Sequence, residues 1–82
     1  MNGVYIATFY SHFGAISFKK LCDKQGFSSK IMPVPRNLSS SCGTCVRFEG
    51  EYSEKLQEVD ELEQVAEVLT DGYKSVYMAE NA

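Results

Sequence analysis

Basic residues are missing where acidic ones gather. Between Glu49 and Glu67 only Lys55 opposes the carboxylates, in a chain whose net charge is −3. A nucleic-acid surface needs clustered Lys and Arg to release counterions from phosphates, and Lys19, Lys20, Lys24, Lys30 and Arg36 are too few to make one, so no nucleic-acid partner is expected. No hydrophobic run approaches the roughly 20 residues that a membrane-spanning helix requires, so no membrane partner is expected either. The opening stretch, MNGVYIATFYSHFG, has neither the basic start nor the apolar segment and cleavage site of an export signal, and a cytoplasmic location is expected. Three cysteines, Cys22, Cys42 and Cys45, are an odd number and too sparse for a disulfide scaffold, which points to thiols in a reducing compartment. The chain offers one C-x-x-C pair plus His12 and Cys22 but no second knuckle, so no zinc site is expected unless a dimer shares it. No phosphate loop or general acid–base pair is visible, so neither a cofactor nor a stand-alone hydrolase or transferase is expected.

What is present suits one small domain covering residues 1–82. A chain of this size buries only about 60–65% of its unfolded surface, so association into a homodimer would add stability. Gly3 to Phe9 is apolar at nearly every position, as an interior strand is. Ser11 can cap a helix over 12–25, with Phe13, Ile16, Leu21 and Cys22 as its apolar stripe, Phe18 at the edge, and Gly26 just beyond its end. A second strand from Phe27 to Val34 stops at Pro33 and Pro35, because proline lacks the amide hydrogen a ladder needs. A third strand follows from Thr44 to Gly50.

Leu56, Val59, Leu62, Val65 or Ala66, and Leu69 then mark a second helix over 53–70, with Glu54, Glu58, Glu61 and Glu67 facing water. Asp71-Gly72 stops it, and Tyr73 to Met78 forms the last strand. The order β-α-β-β-α-β is that of an α+β, ferredoxin-like fold: two helices on one face of a four-stranded antiparallel sheet. In that layout strands 1 and 3 are expected to run parallel, and strand 2 to leave the sheet at the same end as strand 1. The open face must be polar or covered, and a second copy is one common cover.

The chemically pointed stretch is the loop from Pro33 to Gly43. Two prolines stiffen its entry and Gly43 permits a tight turn after Cys42, a design that holds one side chain still and exposed. The thiolate is the nucleophilic form of cysteine, and turn amides, the hydroxyls of Ser39, Ser40 and Ser41, and the Arg36 guanidinium are donors of the type that favour an anion.

The run IMPVPRNLSSSCGTCVRFEG resembles the signature of the DUF3343 family of selenium/sulfur carrier-like proteins, small domains with a PVPR-x-ISS-x-CG-like core. Pro33 to Arg36, Leu38-Ser39-Ser40 and Cys42-Gly43 carry the resemblance, with Leu38 where isoleucine is usual. It implies a thiol at Cys42 that accepts sulfur or selenium as a persulfide or selenosulfide and hands the atom to a partner enzyme. A cysteine desulfurase or a selenium-donor or -acceptor enzyme is the implied partner, and the chain itself a non-catalytic carrier or accessory protein. Arg36, Ser39, Ser40, Ser41 and Gly43 are then the cargo-binding residues, since Ser41 and Gly43 add little steric cover and Arg36 presents a planar fork to an anion.

Other readings of the same residues remain. Cys42 and Cys45 form a C-x-x-C, but it runs into a strand rather than opening a helix, unlike the thioredoxin arrangement. Cys45 is either a buried small hydrophobe or a resolving thiol that expels the carried atom by forming Cys42–Cys45. His12 stands at the start of the first helix as a solvated or capping residue, or as a base for Cys42. A ferredoxin-like ligand-binding or regulatory module, and a thiol redox protein using Cys42 with Cys45, are the alternatives to a carrier.

Overall fold

Three segments whose apolar residues are buried, around Tyr5, Val46 and Val65, converge as the middle of one antiparallel sheet. In the computed structural model, which describes residues 3–38 and 40–79, the order is β1 (Gly3–Phe9), α1 (His12–Lys24), β2 (Ser28–Pro33), β3 (Thr44–Gly50), a short 3-10 helix (Glu54–Glu58), β4 (Leu62–Leu69) and β5 (Gly72–Met78). The sheet order is β2-β3-β1-β4-β5, with every neighbouring pair antiparallel. β1 lies in the centre, which is why Tyr5 to Phe9 are all buried.

The α+β class stands, with two corrections to the ferredoxin-like layout. The expected helix over 53–70 is a 3-10 helix of five residues followed by β4, so one α-helix and five strands replace two helices and four strands. The reason is backbone pairing. Without β4, one side of β1 would present buried, unpaired N–H and C=O groups, and that cost outweighs the helical preference of Glu, Leu, Gln and Ala. Thr70-Asp71 then forms the two-residue link of a β4–β5 hairpin in which Leu69 pairs with Gly72, rather than a helix stop.

Strands 1 and 3 were expected to be parallel and are antiparallel neighbours. Strand 2 does leave at the same end as strand 1, because both are antiparallel to the β3 strand between them.

α1 begins as expected. Ser11 is extended (φ −148°, ψ 160°) and its hydroxyl accepts from the Gly14 N–H at 3.3 Å. It ends in a Schellman arrangement: the Phe27 N–H donates to Cys22 O at 2.9 Å, the Gly26 N–H to Asp23 O at 3.1 Å, and Gly26 takes φ 81°. The face turned to the sheet is Gly14, Ala15, Phe18 and Cys22; of the expected stripe Cys22 is buried and Leu21 packs against the core, whereas Phe13 and Ile16 are 73% and 48% exposed and Phe18, placed at the edge, is fully buried. Gly14 explains the rotation, since a Cβ there would overlap the Glu61 side chain and crowd Phe9. Only the small-residue side of α1 fits that close.

Beneath α1 the core is aromatic. Phe48 lies 5.3 Å from both Tyr5 and Phe18 and 6.1 Å from Phe27, centroid to centroid, and Phe18 lies 5.2 Å from Phe9. Where the second helix was expected, Leu56 of the 3-10 helix (1% exposed) and Tyr52 (5.6 Å from Tyr5) fill the space. On the opposite face, register places Ile6, Thr8, Cys45 and Ala66 together, all buried, with the exposed Arg47–Glu49 ion pair (3.6 Å) on the same face of β3. No helix among the described residues is long and apolar enough to cross a membrane.

Candidate functional site

The loop joining edge strand β2 to β3 is built from local constraints. The Val34 N–H donates to Gly43 O at 3.1 Å and closes its neck, and the Leu38 N–H donates to Pro35 O at 3.0 Å, making Pro35 to Leu38 a turn. Gly43 takes φ 74°, a left-handed conformation that suits the tight turn expected after Cys42. Although it starts at the sheet's edge, the loop reaches the end of the central strands. The Ser40 hydroxyl donates to Phe9 O at 3.3 Å, and Ser41 donates to Glu63 of β4 through its N–H (3.2 Å) and its hydroxyl (2.8 Å). Glu63 also accepts from Thr8 Oγ1 at 3.3 Å.

All three cysteines are free, and their surroundings separate them. Cys22 and Cys45 are fully buried. Desolvation pushes the Cys22 thiol up to about 12, with Asp23 adding to the rise. Desolvation likewise pushes Cys45 up to about 11, and the nearby Cys42 adds to it. Cys45 Sγ donates to Pro33 O at 3.6 Å. Cys42 is half-buried, rests against the edge of the apolar core, and its Sγ donates to Thr44 O at 3.5 Å.

The site residues expected from sequence therefore part company. Gly43 is exposed, whereas Cys42, expected to be exposed, is half-buried. Arg36 is exposed in the turn and forms no ion pair with a described residue. Ser40 and Ser41 turn their hydroxyls to Phe9 O and Glu63 rather than to the Cys42 sulfur, and Ser39 lies outside the described residues.

His12 is brought to the loop: its Nδ1 and Thr44 Oγ1 are 2.8 Å apart, and Thr44 also receives the Cys42 thiol through its carbonyl. Beside it the Ser11 hydroxyl donates to Glu61 at 2.6 Å. Glu63, Glu61, Thr8 and Thr44 were not anticipated as parts of this site. The two carboxylates were hidden inside a segment that reads as a solvated helix face, and no spacing in the sequence links positions 8, 41 and 63. Among the described residues no group of three or more His, Cys, Asp or Glu is arranged to hold a metal ion.

A family model described as "Putative Se/S carrier protein-like" matches residues 4–72, from β1 through the Cys42 loop and β4 to the start of β5. This chain belongs to that family. No curated protein and no solved structure matches it. Membership of the Se/S carrier-like family agrees with the resemblance carried by the Pro33–Gly43 core, and the match also spans Glu61 and Glu63.

Proposed function

We propose that Cys42 is the cargo-bearing thiol of a sulfur or selenium carrier, which receives the atom from one enzyme and yields it to another. The observation that carries this reading is the contrast among three free thiols. Cys42 alone is solvent-reachable and sits on a tethered loop, while Cys22 and Cys45 are sealed in the interior with thiols that resist ionisation. Family membership supports the class of cargo.

In the loading step the Cys42 thiolate attacks the outer, sulfane sulfur of a persulfide on a donor enzyme's cysteine. The bond from Cys42 Sγ to that sulfur forms, and the donor's S–S bond breaks. The electron pair of the broken bond leaves with the donor thiolate, so no external oxidant or reductant takes part. A perselenide donor delivers selenium by the same exchange and leaves Cys42 as a selenosulfide. Unloading is the reverse reaction with an acceptor nucleophile. Arg36, exposed on the turn that opens the loop, supplies a cation for an anionic cargo or for the donor's acidic side chains. Cys45 takes a packing role, since a sulfur held neutral to about pH 11 is a poor resolving nucleophile.

Incubation with a cysteine desulfurase and free cysteine, followed by intact-mass measurement, tests the assignment. Wild type and Cys45→Ser gain sulfur and Cys42→Ser does not. Sulfur gained by Cys42→Ser, or none gained by wild type from any persulfide donor, removes Cys42 as the carrier thiol.

A further inference from the structure

Glu63 occupies the one irregularity between β1 and β4. Thr8 pairs with Gln64 and Phe9 with Leu62, so Glu63 has no residue opposite it. A bulged residue is free of the ladder's side-chain alternation and can be re-aimed, and this one is aimed at the Cys42 loop. Its Oε1 accepts from Thr8 Oγ1 and the Ser41 N–H, and its Oε2 from the Ser41 hydroxyl. One carboxylate thus ties β1, β4 and the residue immediately before Cys42. Ser40 is held as well, on Phe9 O at the end of β1. The thiol that follows is half-buried and turned back onto Thr44 O. Sulfur exchange requires a second sulfur to approach in line, so the loop as tied favours slim reactants over bulky ones. The Ser41–Glu63 bonds lie at the surface, where donors of a docking protein or water compete for the same oxygens.

We propose that Glu63 is a positioning residue, a latch that holds the Cys42 loop closed through Ser41 and limits the thiol to small reactants until a partner displaces it. The latch deepens the carrier reading and rests on it for its purpose, but its test requires no sulfur donor.

The full chain and its Glu63→Ala, Glu63→Gln and Ser41→Ala variants are each treated with iodoacetamide and, separately, with a polyethylene-glycol maleimide. Labelling rates are resolved for each cysteine by peptide mass. Cys22 and Cys45 serve as internal controls, because general loosening exposes all three thiols and an opened latch exposes one. In Glu63→Ala the bulky reagent reacts at Cys42 faster by on the order of tenfold, the small reagent changes much less, and the two buried thiols stay unlabelled. Glu63→Gln keeps an acceptor oxygen and falls between, and Ser41→Ala, which leaves β4 untouched, accelerates the bulky reagent in the same direction.

An unchanged or slower bulky reaction in both alanine variants overturns the latch, as does a parallel rise at Cys22 and Cys45. If Glu63→Ala does not fold, Ser41→Ala alone decides by the same criteria. Failure of sulfur loading with this labelling pattern intact removes the carrier and leaves the latch, and the converse result does the opposite.

Discussion

Cys42, Cys45 and Gly43 show how much three neighbouring residues owe to burial and backbone rather than to side-chain type. The two cysteines are chemically identical in sequence, yet desolvation lifts Cys45 to about 11 while Cys42 stays at the surface of the loop. Gly43 separates them by turning the chain at φ 74°, and nothing lies within 4 Å of where a Cβ would be. Substitution there is therefore a backbone question and not a packing one. Gly43→Ala is expected to lower unfolding stability by about 1–2 kcal/mol, and Gly43→Asn by less, because asparagine adopts the left-handed conformation more readily. Urea denaturation of the two variants checks this, and equal losses would mean that the turn has moved to another residue.

Glycine has the opposite meaning within α1. At an open helix position Gly→Ala adds up to about 1 kcal/mol of stability. Gly14 is buried, and its added methyl would overlap the Glu61 side chain that receives the Ser11 cap hydroxyl. Gly14→Ala is accordingly expected to destabilise, by roughly 1–3 kcal/mol as overpacking does, with the loss read by thermal and urea unfolding. A stabilised variant would show that α1 stands further from the 59–61 segment.

The elements also explain what was and was not legible. β1, α1, β2, β3 and β5 lie within a residue or two of where apolar runs, the Ser11 cap, proline and glycine placed them. β4 did not, because the extra residue at Glu63 puts Leu62 and Val65 on the same face three positions apart, which is the spacing of a helix. Within the α1 stripe Phe13 and Ile16 misled while Leu21 and Cys22 did not, since a hydrophobic count does not see that Gly14 lets the helix pack close against Glu61 and Phe9.

For the molecule as a whole, the closing of two thiols into the core couples folding to alkaline pH. Cys22 and Cys45 are raised from an ordinary 9.0 to about 12 and about 11, so their contribution to stability is complete below pH 9 and is lost as pH rises through 11 and 12. Tyr5 and Tyr52, raised chiefly by burial, add in the same direction. Unfolding free energy is thus expected to be nearly flat from neutrality to pH 9 and to fall steeply above it, with a shallower fall in a Cys22→Ala, Cys45→Ala double variant. Urea titrations across that range read it directly, and identical alkaline slopes would show that these thiols ionise freely in the fold.

By itself the sequence determined the local matters: strands at both ends of the chain, a capped first helix, and a proline-entered, glycine-released loop carrying Cys42. Each depends on neighbours a few positions apart, where torsional preference and hydrogen-bond chemistry act without reference to the rest of the chain. The tertiary structure decided which partner each strand took, that residues 62–69 complete the sheet instead of a helix, and that Ser41, Thr8 and Glu63 meet. Those outcomes arise because a buried backbone must be paired and a bulge must put its extra side chain somewhere, and both conditions exist only after distant segments have come together.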